Sequence, residues 1–103
     1  QVRADGNHYN YLTMKPLPIK FTKQGFTHDQ IAREGRAAIY ERGKPGQHSH
    51  FEVIKIGSHD GYEIAGVKVE PSETYPGAGQ FGTSGWCLHS KERAMEKLNE
   101  LNK

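Results

Sequence analysis

Only one stretch of the chain repeats its apolar residues at the spacing of a long helix. Ala94, Met95, Leu98 and Leu101 share a single stripe behind Ser90, a residue suited to cap a helix N-terminus. Everything ahead of it is cut short by glycine, proline and turn residues, and where apolar residues recur there they alternate. With 103 residues, 34% of them hydrophobic, the chain has material for one domain and one thin core. The expected class is α+β: a mostly antiparallel sheet of four to five strands with the C-terminal helix packed on one face. No run of about 18 apolar residues occurs, so neither a membrane-spanning helix nor a membrane partner is expected.

Read along the chain, residues 1–14 are polar and aperiodic and form an arm, expected to lack order unless Tyr9 and Tyr11 pin it; residues 15–103 are the single domain. Leu17, Ile19 and Phe21 alternate with Pro18, Lys20 and Thr22, a strand whose prolines send it to a sheet edge. Thr27, His28, Asp29 and Gln30 have capping-box spacing, and Phe26 and Ile31 stand where a hydrophobic staple would form. With Gly35 as a C-cap, this predicts a short N-terminal helical turn. Ala37–Arg42 and His50–Ile56 predict a hairpin closed by Gly43, Lys44, Pro45 and Gly46. Tyr62–Val69 is either one strand kinked at Gly66 or a tight hairpin turning at Ala65 and Gly66. Glu70–Gly85 is the longest irregular segment, of the kind that often carries function, and Trp86–His89 reads as the last strand.

The charge is uneven. Residues 1–46 carry eight Lys and Arg (Arg3, Lys15, Lys20, Lys23, Arg33, Arg36, Arg42, Lys44) against four acids, whereas residues 47–103 carry six against eight. A basic amino-terminal half favours phosphate or an acidic protein surface. One cysteine, Cys87, forms no intrachain disulfide, which excludes a stapled secreted scaffold and favours a reducing compartment such as a cytoplasm. The chain opens on Gln1 without a secretory-type leader, as expected of a piece trimmed or cut from something longer.

Few residues stand in patterns that carry chemistry. His48 and His50 alternate on one predicted strand and Cys87 and His89 on another, so a Cys-His₃ metal cluster requires those two strands to be neighbours. Without that adjacency they read as surface histidines and a small cysteine, and neither a metal nor another cofactor is expected. Cys87 with His89 makes a poor nucleophile pair, because the two lie on one strand rather than converging from separate elements. The glycines of 77–85 lack the spacing of a phosphate-binding loop. What stands out is Tyr75, Phe81 and Trp86, three large rings in or beside that glycine-rich segment, where they either plug the core or form a recognition surface.

The run Phe51–Ile56, the Tyr75-Pro76 pair, the stretch Phe81-Gly82-Thr83-Ser84-Gly85-Trp86 and a capped terminal helix resemble a group of short, uncharacterised proteins from bacteriophages and bacterial genomes. That likeness covers residues 20–102 and implies a gene context rather than a mechanism. Phe81–Gly85 followed by Ser90–Leu101 is also similar in order to the WGR domain found beside poly(ADP-ribose) polymerase catalytic domains, with Phe81 in place of the tryptophan and Thr83 in place of the arginine. WGR domains contact DNA, so this second likeness implies a nucleic-acid partner.

These readings converge on a small non-enzymatic binding module whose expected partner is DNA or RNA. Arg33, Arg36, Arg42 and Lys44, with Lys20 and Lys23, would meet phosphates, and Tyr75, Phe81 or Trp86 would stack on bases. The alternative is a module that binds a host protein and modulates it. With so limited a core, homodimerisation through a sheet edge is a further expectation.

Overall fold

Alternating segments and tight turns dictate a sheet, and a computed structural model, which describes residues 14–103, shows how it is threaded. In chain order the strands are β1 (Lys20–Lys23), β2 (Phe26–Glu34), β3 (Ala37–Gly43), β4 (His50–Lys55), β5 (Gly57–His59), β6 (Tyr62–Ile64), β7 (Val67–Val69), β8 (Ser72–Thr74) and β9 (Gly85–Leu88), followed by helix α1 (Lys91–Leu101). The described residues fall into two compact units, Pro18–Ile56 with Tyr75–Lys103 and residues 14–17 with Gly57–Thr74. The expectation of an amino-terminal arm falls almost wholly on residues outside the described ones.

The larger unit holds a five-stranded sheet in the order β1-β2-β3-β4-β9, each neighbour antiparallel. Its first two connections are two-residue hairpins. Gln24 and Gly25 both take positive φ (53° and 84°), the geometry of a type I′ turn that matches strand twist. Gly35 supplies φ 61° between Glu34 and Ala37. β1 lies at one edge, as its preceding prolines require.

One expectation is overturned here. Residues 26–34 are not a helical turn but the nine-residue strand β2, and Gly35 is a hairpin residue rather than a helix C-cap. The capping-box spacing at Thr27–Gln30 is outweighed because β2 pairs on both sides, with β1 and with β3, so its backbone groups are satisfied by ladders. A bulge between Gln30 and Ala32 breaks the alternation that would have marked the strand.

The sheet's two faces differ. On one, Ala37, Ile39 and Val53 are buried with Ala94 and Leu98 of α1, flanked by Ile31, Ala32, Phe51, Leu88 and Leu101. The bulge is what lets the adjacent Ile31 and Ala32 both reach this core. Ser90 caps α1 as expected, its hydroxyl accepting from the Arg93 N–H at 3.1 Å. Asn102 closes the other end, its amide donating to the Leu98 carbonyl at 3.1 Å. Tyr40 and Ile54 are fully buried on the opposite face, where the Tyr40 hydroxyl donates to the Pro18 carbonyl at 2.7 Å and accepts from Gln30 Nε2 at 2.9 Å.

The smaller unit pairs β5 with β8, and the segment at Lys15 joins them through a parallel bridge to Ser72. Strand β8 therefore lies inside the stretch expected to be irregular. β6 and β7 form a tight hairpin through Ala65 and Gly66 (φ 50° and 81°), which decides between the two readings of Tyr62–Val69. Its pairs Tyr62–Val69 and Ile64–Val67 share one face, the Glu63–Lys68 pair the other. Tyr62, Ile64 and Val67 are exposed.

Candidate functional site

On the sheet face away from α1, strand register sets charged groups beside the buried Tyr40. His28 pairs with Arg42, Tyr40 with Glu52 and Glu52 with Cys87, so these side chains project side by side. Glu52 is only 6% exposed, and a buried carboxylate survives only where partners surround it. Tyr75 donates its hydroxyl to Glu52 Oε1 at 2.6 Å, a short charge-assisted bond. Arg42 Nη1 lies 3.3 Å from Oε2, and His28 Nε2 stands 3.6 Å from Oε1.

The neighbours pull on each other's protons. Burial, reinforced by the bond to Glu52, drives the Tyr75 hydroxyl far above the usual phenol range, so it stays a donor. Burial holds His28 below its ordinary value. Glu52 and the hydrogen bond to the Phe26 carbonyl oppose that shift, while Arg42 and Lys23 add to it. The Cys87 thiol is pushed up, chiefly by partial burial and further by Glu52, with Arg42 opposing. Arg42 itself is incompletely served. Its Nε–H is buried with no hydrogen-bond partner among the described residues.

Rings enclose this charge. Phe21 stacks flat on His28 (centroids 4.5 Å, planes 8° apart), and the Tyr75 ring stands edge-on to Phe21 at 5.3 Å and to Tyr40 at 5.1 Å. The Phe26 ring carries the Arg42 guanidinium at 4.6 Å and the Lys44 ammonium at 5.1 Å. Between them opens a cleft of about 250 Å³. His28, Arg42, Glu52 and Cys87 lie along the sheet, Lys23, Gln24 and Phe26 form one wall, and Tyr75, Pro76, Ala78 and Phe81 form the other.

The second wall is built, not slack. Residues 78–80 make a single 3₁₀ turn, the Gly77 N–H donates to Gln80 Oε1 at 2.9 Å, and the Gln80 carbonyl accepts from Thr83 Oγ1 at 3.0 Å and from the Ser84 N–H at 2.8 Å. Phe81 lies on Gly85, where a Cβ would stand 3.0 Å from the Phe81 ring. A side chain at 85 would force that ring to give by a few tenths of an ångström.

The residues singled out from sequence are divided by the fold. Tyr75, Phe81 and Arg42 meet at the cleft, with Lys44 beside it over Phe26. Trp86 does not join them. It pairs with Val53 on the helix face, half-buried, with Lys97 Nζ 4.2 Å and Lys55 Nζ 5.8 Å from its ring. The expectation of one surface made by three rings is corrected accordingly, because alternation sends Trp86 to the face opposite Cys87. Tyr75 is also a lesser stacking platform than expected, its ring and hydroxyl both being engaged. Arg33 and Arg36 sit at the β2–β3 turn, the far end of β3 from Arg42, and contact the Gly35 and Ile56 carbonyls. The neighbouring strands required for the metal candidates do occur, and His50 lies 5.1 Å from His89 and 6.0 Å from His48 between ring centroids. Even so, no group of three or more His, Cys, Asp or Glu among the described residues is arranged to hold a metal ion.

Sequence reading missed Glu52, His28, Phe26, Phe21 and Tyr40 as site residues. A signal for Glu52 was present, since it is the one acid inside the apolar run Phe51–Ile56. Among the described residues no helix is long and apolar enough to cross a membrane. Scans against protein-family models, curated proteins and solved structures find nothing that matches this chain. The likenesses to phage proteins and to WGR domains rest on their motifs alone.

Proposed function

We propose that this protein is a small non-enzymatic module, of phage or bacterial origin, that binds nucleic acid at the cleft beside Glu52. The observation that carries the reading is the pairing of charge with flat apolar surface at one mouth: Lys23, Arg42 and Lys44 outnumber Glu52, and Phe26 and Phe81 stand among them. Arg42 supports it further. Its side chain is 29% exposed while one nitrogen holds Glu52, so the guanidinium has a free side for a phosphate oxygen. The WGR likeness points to the same class of partner.

The test is salt dependence. Three cations on a single strand give a slope of about −2 in log affinity against log salt, so a fourfold rise in salt weakens binding roughly 15-fold. Lys44→Ala is expected to flatten that slope by about 0.7. Absence of any retardation of DNA or RNA at low salt refutes the reading.

A second reading, a module that binds a host protein, is favoured by the β6–β7 hairpin, whose Tyr62, Ile64 and Val67 expose one continuous apolar face. A stoichiometric partner captured by the protein and lost with Ile64→Ser and Val67→Ser would support it. Capture unaffected by those changes would oppose it.

A further inference from the structure

The cleft is a recess, and the size and setting of that recess narrow the nucleic acid it suits. We infer that it receives one unpaired base of a single strand, seated against the Phe81 ring, with the adjoining phosphate on Arg42, Lys23 and Lys44. This rests on the nucleic-acid reading above and names its substrate class.

Three observations carry it. The cleft measures about 250 Å³, below the usual span of about 300–1,000 Å³ for pockets that take drug-sized ligands, a size that suits a single flat ring. Its rings are recessed. Phe81 is half-buried with one side against Gly85, and Phe26 lies beneath Arg42 and Lys44. Rings set back in this way meet the face of a base only after the base has left its stack, whereas in a duplex both faces are covered by neighbouring pairs. The wall is also fixed in advance by the Gln80 hydrogen bonds and the Gly85 seat, so little ordering cost opposes entry of the base.

The charges complete the case. A base brings no charge to Glu52, which keeps Tyr75 as its hydrogen-bond donor, while its phosphate brings an acceptor to the partly exposed Arg42 side chain. A protein side chain of the same size offers a ring without that phosphate. Backbone-only duplex binding uses the cations and leaves Phe81 idle.

The experiment compares fluorescence anisotropy of labelled single strands of about 12 nucleotides, oligo-dT and oligo-dA, with a duplex of the same length at about 50 mM salt. Single strands are expected to bind at least about tenfold more tightly than duplex. Phe81→Ala is expected to lower single-strand affinity by about tenfold or more, towards that of the duplex. Phe81→Leu keeps apolar bulk over Gly85 and guards against misfolding, and it too is expected to lose most of the single-strand preference. Trp86, on the opposite face, reports by its fluorescence that each variant is folded.

Equal binding of duplex and single strand, or a folded Phe81 variant with unchanged affinity, overturns the seated base while the nucleic-acid reading survives. A free mononucleotide that binds as tightly as the strand overturns the strand and leaves a nucleotide as the ligand. No binding by any of these probes overturns the nucleic-acid reading itself.

Discussion

The two faces of the five-stranded sheet are built from the same strands, one residue out of step. On β4, Val53 faces α1 and is sealed among Ile39, Ala94 and Leu98, whereas Glu52, its neighbour in sequence, faces the cleft and is held by Tyr75 and Arg42. Both side chains are almost inaccessible. One needs only to be excluded from water, while the other needs named partners at hydrogen-bond distance. The helix face supplies stability by area. The cleft face spends some of that stability on a carboxylate, an incompletely bonded arginine and a neutral imidazole, the kind of cost that folds concentrate where they bind something.

The strongest way to break this contrast is to hollow out the apolar face. Leu98→Ala removes a side chain only 3% exposed from the centre of the core, with expected destabilisation of about 3 kcal/mol in urea unfolding. If the faces are independent, oligonucleotide affinity of the folded fraction is unchanged. A variant that stays folded yet no longer binds would show that the cleft depends on how α1 packs.

The matching change on the other face is smaller. Tyr75→Phe keeps the ring among Phe21 and Tyr40 but deletes the 2.6 Å donor to Glu52, with an expected cost of about 2 kcal/mol. A cost close to zero would mean that water replaces the hydroxyl, and that the carboxylate is less dependent on its partners than the geometry indicates.

Titration of His28 sharpens the contrast further, with a smaller effect because Glu52 and the Phe26 carbonyl partly offset burial. Its folded pKa lies below its unfolded one. Above about pH 6.5 the ring is neutral in both states and its contribution is intact. As pH falls below that, the unfolded chain takes up the proton while the folded protein resists, and stability declines until the folded pKa is reached. Unfolding midpoints measured between about pH 7.5 and pH 5 should drop for the native chain, and His28→Gln should flatten that limb. Parallel curves for the two proteins would remove His28 from the account.

How much of this was legible beforehand depends on how local the cause is. Ser90 announced the helix because its hydroxyl caps three residues on, and the Ala65-Gly66 turn was one of two readings of its segment, its geometry being one its own residues permit. The segment 26–34 misled because capping-box residues are also acceptable in a strand, and what decides between them is pairing with β1 and β3, which no local pattern encodes. The cleft was half legible. Tyr75, Phe81 and Arg42 stood out by residue type, yet their convergence on Glu52 requires β9 to return beside β4 from more than thirty residues away. Trp86 lies apart from the other two rings for the narrowest reason, since one step along a strand exchanges faces.

That one-residue step also yields the finest test of the contrast. Lys97 Nζ lies 4.2 Å from the Trp86 ring on the helix face, a contact worth about 0.5–1 kcal/mol where solvent reaches it. Lys97→Ala also deletes the exposed 2.7 Å contact to Glu100, but at the ring its cost is expected to stay within that range, because Lys55 remains 5.8 Å away, and the tryptophan emission to shift as the cation leaves. Oligonucleotide affinity should not change beyond the loss of one distant positive charge, screened within about 10 Å at moderate salt. A Lys97 variant that binds single strands as poorly as a Phe81 variant would place the nucleic acid on the helix face, with Trp86 as its stacking ring, and leave the buried carboxylate on the other side a structural feature without a ligand.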